Sequence, residues 1–390
     1  MFDVIISGSG PSGSQCAYVL AQAGFKVALI ERNKNWRKPC GGAIHSSVLD
    51  LYPKLKKINQ SKIVGVIMHS ADYHKLKFKG AGNDEYSIIM DRLELDNLMR
   101  DVAVDAGAEL FDRHLSYDFI TKDQTKIGIK TSSSNGIKTF FGKILIIADG
   151  MSSKLAHKSG IRSKWKIEQI AIGKCAIIEG ENNLDREFVY VYFMPYQGYG
   201  WIFPLGKNHF NIGIFTFGKD NLKYNINKLY HEFLNNPNVK KYISNSLHNT
   251  IWSSSYSFPA EGVLEKSLND DNLMIIGDAG GFVSPISGEG IQSAVISGKI
   301  SAKTAIKSLE EEDYSKDNLR KYKTNPEIKN LIKNFKLKRS MINFFYKDKG
   351  KNLNKMLYLS ENDLEFKEVL VNMFTYGKIP SKDFIAKIND

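Results

Sequence analysis

The chain opens with FDVIISGSGPSGS, and this segment limits what the rest of it can fold into. A short strand-like run, Asp3 to Ser7, leads directly into Gly8-x-Gly10-x-x-Gly13. The pattern then turns helical, with Cys16, Val19, Leu20 and Ala23 on one face. Gly8 permits a tight turn, Gly10 lets the backbone approach a pyrophosphate, and Gly13 lets the helix pack close to the strand. Ser12 sits inside this turn. Gly24 ends the helix, Lys26 to Ile30 reads as the next strand, and Glu31 stands at its end, followed by Arg32. A carboxylate about 20 residues past the glycines accepts hydrogen bonds from ribose hydroxyls. Strand, glycine turn, helix and acid in this order predict a βαβ unit that holds a dinucleotide, with its phosphates at a helix N-terminus.

A second glycine-rich segment lies far along the chain. Asn272 to Ile276 reads as a strand that ends in Gly277-Asp278, and after Ser284-Pro285 the residues Gly288-Glu289-Gly290-Ile291 open a helix. Between the two segments, Asp91-Arg92 through Leu95-Asp96 and Leu98 begins a helix that ends near Ala106-Gly107-Ala108. Ile144 to Ala148 is a buried-type strand followed by Asp149-Gly150 and Ser152. Together these pieces resemble the flavoprotein superfamily that includes the aromatic hydroxylases. The resemblance implies FAD as cofactor. It places Asp278 at the ribityl chain and Arg92 near the flavin. Gly288, Gly290 and Ile291 would stand at the helix start facing the pyrimidine end. Glu289 receives no role from it.

Two further motifs narrow the family. One is Pro39-Cys40-Gly41-Gly42-Ala43; the other, within Pro195 to Phe215, contains Tyr199-x-Trp201-x-Phe203-Pro204 and a later Gly213. Both are similar to the geranylgeranyl reductase family, whose members saturate isoprenoid double bonds, notably in archaeal ether lipids. The resemblance runs from Phe2 to about Lys303; the residues after 305 match no motif. It implies an FAD-dependent reductase acting on geranylgeranyl chains, of a digeranylgeranylglycerophospholipid or of geranylgeranyl diphosphate. It places Cys40, Gly41 and Gly42 beside the flavin. An FAD-dependent monooxygenase of an apolar substrate is the alternative, since it shares the flavin motifs. A flavin-bound electron carrier or lipid-binding protein is a third class. No second dinucleotide fingerprint exists, because Gly80-Ala81-Gly82 lacks its third glycine. The electron donor is therefore open between NAD(P)H and a reduced ferredoxin-type carrier protein.

Tyr199, Trp201 and Phe203 alternate along a strand, so their rings project from one face. Such a ladder can wall a tunnel for a polyprenyl chain, or pack as an aromatic core strand. The family resemblance favours the tunnel, with Tyr199, Trp201, Phe203 and Pro204 as substrate contacts. An isolated trisubstituted alkene is a poor hydride acceptor, so protonation is expected to lead, leaving positive charge at the tertiary carbon. Electron-rich rings such as Trp201 and Tyr199 stabilise that charge. Candidates for the acid are Tyr199, Cys40 and a water near the Gly288–Ile291 loop. Cys40 also fits as a small residue in a tight turn.

Three cysteines in 390 residues, with no CxxC or zinc spacing, suit a reducing cytosol. Cys16 and Cys175 lie in apolar stretches and read as packed. The eight histidines are scattered, so no metal is expected. No apolar run reaches the length of a membrane-spanning helix, and the first strand leaves no room for a signal peptide. The net charge of +12 concentrates late in the chain, from Lys316 to Lys355. There Leu331, Phe335, Ile342 and Phe345 recur at one-face helical spacing. That is either a helix lying on an anionic membrane or one packed on the protein with a solvated basic face. Nucleic acid is not expected as a partner.

The predicted class is α/β. A discontinuous Rossmann-like FAD-binding domain spans residues 1–44, 91–164 and 260–305. A mostly antiparallel β-sheet substrate domain spans 45–90 and 165–259, and a helical C-terminal region spans 306–390. A cytoplasmic location follows, with peripheral contact at the inner face of the membrane as an option.

Overall fold

A computed structural model describes the chain apart from positions 53, 56–60, 80–86, 207, 244–247, 376–380, 382–383 and 385–390, and the side chains of 371–375. Gly80-Ala81-Gly82 thus lies outside the described residues.

The strand Phe2–Ser7 lies inside a sheet ordered Asn269–Asp270, Leu273–Ile275, Gly136–Ile147, Phe2–Ser7, Val27–Ile30, Glu109–Phe111. All neighbours pair in parallel except the first two. Parallel strands covered on both faces read as continuous apolar runs, and Val4, Ile5, Ile6 and Val27 to Ile30 are all buried. The fingerprint helix, Pro11–Gln22, packs against the later helix Ile291–Glu310. The two glycine-rich segments of the sequence are thereby brought to one end of this sheet. Helix Arg92–Asp105 begins with Asp91 as its cap, whose carboxylate accepts from Leu93 N at 2.8 Å.

A second sheet is ordered Asn249–Pro259, Ile170–Glu179, His209–Phe217, Gly198–Pro204, Phe188–Phe193, Gly65–His69, Lys75–Lys79. It is antiparallel except where Phe188–Phe193 meets Gly65–His69. Its register sets Tyr199 opposite Phe215, Trp201 opposite Gly213 and Phe203 opposite Asn211; Cys175 is the other partner of Gly213. These residues therefore share one face. The alternate residues Ile202, Ile212, Ile214 and Tyr192 face the other way, onto Leu229, Tyr230 and Phe233 of helix Ile226–Asn235. On the outermost strand Leu76 and Phe78 are buried while Lys75, Lys77 and Lys79 are exposed.

The basic C-terminal segment folds into helices Pro326–Phe345, Lys351–Asn362 and Leu364–Thr375. Of the two readings of its apolar stripe, the packed helix is the one found. Phe335 is buried in the core beneath the first sheet, and Ile342 and Phe345 in the core of the second. Leu331 is half-buried against the first core, while Lys329, Lys333 and Lys336 face solvent. Among the described residues no helix is long and apolar enough to cross a membrane.

Candidate active site

A cavity of about 460 Å³ opens between the two sheets. One wall is the glycine turn. Gly8 has φ +100°, and a Cβ there would lie 2.4 Å from the Ala148 carbonyl oxygen; a Cβ on Gly13 would lie 1.9 Å from the Gly8 carbonyl oxygen. Both positions need glycine for the backbone itself to close. Gly10 differs, because a Cβ there would meet nothing within 4 Å. The space over Gly10 belongs to the cavity, at the N-terminus of Pro11–Gln22, where free N–H groups favour an anion. Ser12 lines the same wall.

Glu31 and Arg32 line the cavity beyond the strand Val27–Ile30. One Glu31 oxygen accepts from Ser9 N at 3.0 Å and Ser9 Oγ at 2.8 Å. The Arg32 guanidinium lies 4.8 Å from the Trp36 ring. Asp278 is placed by the turn Gly277–Gly280, and the Lys38 ammonium reaches it at 2.5 Å. Burial works against the charge on Lys38, but the Asp278 carboxylate outweighs it and raises the amine above its usual range. Asp149 also lines the cavity, with one buried carboxylate oxygen lacking a partner. Burial pushes its carboxyl up to about 6. Gly288, Gly290 and Ile291 complete this side at the start of Ile291–Glu310. An anion-ready helix end, clear space over Gly10, a carboxylate at a strand end and an unsatisfied carboxylate oxygen fit an FAD molecule.

The facing wall is the ring face of the second sheet. Tyr199, Trp201, Phe203 and Phe215 line it. Tyr199 meets Phe215 edge-on at 4.5 Å, and successive ladder rings are 6.2 Å apart. The Tyr199 hydroxyl donates to the Ser287 carbonyl at 2.5 Å, tying the ladder to the glycine-rich loop. Trp201 Nε1 donates to Asn211 Oδ1 at 2.8 Å, and Asn211 Nδ2 donates to the Cys40 carbonyl at 2.8 Å.

Cys40 is half-buried at the edge of the cavity, and its sulfur accepts from Gly42 N at 3.4 Å. Gly41 lies so close to the ladder that a Cβ would be 2.6 Å from the Phe203 ring. Arg92 is buried and clamps Asp96 through three contacts, at 3.0, 3.1 and 3.3 Å. Burial disfavours its charge, but Asp96 and the neighbouring Cys40 thiol more than compensate, so the guanidinium stays protonated.

Three of the expected contact residues lie outside the lining of the cavity. Gly13 lies beneath the turn, against Gly8, and supports the cavity without lining it. Gly42 has φ +80° and is pressed against the Met90 carbonyl, outside the lining. Pro204 ends its strand opposite Phe210, outside the lining.

Four lining or supporting residues received no site role in the sequence reading: Lys38, Asp149, Asn211 and Cys175. Asn211 was legible in principle, since it alternates in phase with Gly213 and Phe215 on the ladder's face. Cys175 is buried, as its apolar stretch implied, but its strand lies against the cavity. Glu289, given no role, is held by Gln292 N at 2.9 Å, and burial raises its carboxyl. Lys338 of the C-terminal helix is charged toward it, and burial lowers that amine.

A family model described as an FAD binding domain matches residues 1–325. A protein named digeranylgeranylglycerophospholipid reductase, from Methanococcus aeolicus, is 30% identical over 82% of this chain and 81% of its own length. Digeranylgeranylglycerophospholipid reductase 1 from Methanosphaera stadtmanae is 29% identical over 94% of this chain and 90% of its own. The solved structure of a geranylgeranyl bacteriochlorophyll reductase-like protein from Thermoplasma acidophilum superposes with a TM-score of 0.83. It covers 95% of this chain and 96% of that one, at 22% identity, which speaks for the fold. The FAD-ready turn, the ring ladder and these relatives lead to one assignment: the chain belongs to the digeranylgeranylglycerophospholipid reductase family of FAD-binding proteins.

Proposed function

We propose that the chain is an FAD-dependent reductase that saturates the C=C bonds of geranylgeranyl chains carried by archaeal-type ether phospholipids. The observation that carries this reading is the ring ladder itself. Tyr199, Trp201 and Phe203 wall the same cavity that Gly10, Glu31 and Asp278 line. A wall of rings suits a long apolar chain that offers almost nothing to hydrogen-bond. The names of the relatives support the same reaction.

FAD, when bound, supplies the reducing electrons as hydride. The N-terminus of Pro11–Gln22, with Gly8, Gly10 and Ser12, holds its phosphates; Glu31 and Arg32 hold the adenosine end. Asp278 and the Gly288–Ile291 helix start hold the ribityl and ring end. The rings of Trp201 and Tyr199 stabilise positive charge that grows on the tertiary carbon, by up to ~2 kcal/mol when desolvated. If realised only in the transition state, that is a rate factor of about 30. Cys40 Sγ is the favoured proton source, because it is a half-buried thiol at the edge of the cavity that the ring ladder walls. Tyr199 is less suited, since burial raises its pKa and its proton is already given to Ser287. Asn211 positions both Trp201 and the Cys40 loop.

We further propose the division into an FAD-binding unit, a sheet-built substrate unit and a helical C-terminal region. The electron donor is NAD(P)H or a reduced ferredoxin-type carrier protein. The protein works in the cytoplasm, and exposed Lys329, Lys333 and Lys336 allow peripheral contact with anionic lipid at the inner membrane face. The test is anaerobic incubation of the reduced protein with a digeranylgeranyl ether phospholipid in D2O, read by mass spectrometry. Saturated product with solvent deuterium at the less substituted carbon is expected. Unchanged lipid, or product formed only with oxygen, would sink the reading; the second outcome would favour a monooxygenase.

A further inference from the structure

We propose that Cys40 and Cys175 form a thiol–disulfide exchange site within the cavity, one that reacts with small disulfides and closes to an internal disulfide. The three cysteines are not equivalent. Cys16 is sealed in the helix Pro11–Gln22 at 0% exposure, with Ser301 Oγ 3.5 Å from its sulfur. Cys40 and Cys175, far apart in the chain, line the same cavity.

Several contacts bring these two together. Asn211 holds the Cys40 carbonyl at 2.8 Å from the strand whose Gly213 is the register partner of Cys175. A Cβ on Gly213 would lie 2.7 Å from the Cys175 Cβ and 2.2 Å from the Trp201 ring. That ring also borders Gly41, the residue after Cys40, whose Cβ would lie 3.2 Å from Trp201 Nε1. The Cys40 loop lies near enough to the Cys175 thiol to act on it electrostatically. A disulfide requires roughly 4.4–6.8 Å between Cα atoms, the separation that closure has to reach.

The surroundings divide the roles. Cys40 is half-buried at the edge of the cavity, where a small disulfide reaches it; it attacks first. Cys175 is buried, and that burial pushes its thiol up to about 12, so it stays protonated and resolves second. In the first step the Cys40 thiolate attacks one sulfur of the small disulfide. That S–S bond breaks, and the departing thiolate takes up the proton that Cys40 gave up. In the second step Cys175 loses its proton and attacks the Cys40 sulfur, expelling the other small thiol, which carries the proton away. Two protein thiols are oxidised by two electrons, and one small disulfide becomes two thiols. A small dithiol reverses the sequence. The closed form withholds the Cys40 proton from turnover, a consequence that rests on the function proposed above; the exchange itself does not.

The probe is glutathione disulfide added to the FAD-loaded protein, followed by intact mass, free-thiol titration and peptide mapping. Expected are a mass loss of two hydrogens, one remaining thiol at Cys16, and a peptide joining Cys40 to Cys175. Dithiothreitol should restore all three thiols. The Cys175→Ser protein should instead keep one glutathionyl group on Cys40. A stable glutathionyl adduct on Cys40 in the natural protein, three untouched thiols, or the same mass loss in Cys175→Ser would each overturn the proposal. The mapping on the natural protein needs no variant to fold. A cross-linked protein that still reduces lipid at full rate would establish the exchange site and overturn the role of Cys40 as proton source.

Discussion

On the Gly8–Gly13 wall the cavity meets mostly backbone; on the Tyr199–Phe203 wall it meets rings. The first wall works by leaving side chains out. Its N–H groups and helix end are fixed by chain geometry, and glycine keeps the way to them clear. The second works by putting large side chains in and then pinning them, Trp201 through Asn211 and Tyr199 through Ser287. The contrast teaches where substitution acts. Adding atoms harms the first wall, and removing atoms harms the second.

The largest expected effect sharpens this within the first wall. Gly10→Val puts a branched side chain into open cavity, so the fold should stand while the flavin is lost. The purified variant should be colourless, with the melting temperature of the flavin-free natural protein. Gly13→Ala should do the reverse: its Cβ meets the Gly8 carbonyl oxygen at 1.9 Å, so stability itself falls, by on the order of 3 kcal/mol. If Gly10→Val retains yellow colour, or melts as low as Gly13→Ala, the two glycines do not divide the work this way.

On the ring wall, Trp201→Ala should keep its FAD and lose turnover, by about 30-fold if the ring stabilises charge. Trp201→Phe alone should not restore full turnover, since phenylalanine leaves Asn211 Oδ1 without the donor that orients its amide. Loss of flavin absorbance in Trp201→Ala would show that the two walls are not independent.

An effect on stability alone lies on the far face of the ring-bearing sheet. His69 is fully buried, stacked on Tyr192 at 4.4 Å, and neither ring nitrogen has a partner among the described residues. Burial, with Lys241 and Lys75 nearby, lowers its pKa from 6.5 to about 4. Below pH 6.5 the unfolded chain therefore binds a proton that the folded ring refuses. Stability should fall as pH drops from 6.5 toward 4, by roughly 3 kcal/mol. His69→Phe keeps the stack and should remove that part of the slope, equally with and without FAD. A denaturant midpoint that falls with pH as steeply in His69→Phe would refute it.

Much of the first wall was legible in the sequence, because backbone requirements leave glycines at set spacings. Gly8, Gly10, Glu31, Asp278 and Gly290 reach one cavity although they come from opposite ends of the chain. The ring ladder was legible as a period of two, but its outlook onto a cavity was not: core strands alternate in the same way. Pro204, from the same motif, lies outside the lining, because the motif continues along its strand past the cavity. Lys38 was missed because its place is set by a long-range contact with Asp278, and Cys175 because its strand meets the cavity only in the fold, neither of which local spacing records. The stripe in Pro326–Phe345 fitted a membrane surface and a protein core equally well, and only the fold supplies the core.

An open seven-stranded sheet leaves backbone groups unpaired at its borders, and such a border can recruit a strand from another molecule. The strand Lys75–Lys79 forms one border and sets three exposed lysines along it. A second copy approaching edge to edge would bring its own lysines against these, and like charges facing each other across a ladder oppose pairing. The same side chains that carry part of the positive charge thus guard the chain against aggregation through this sheet.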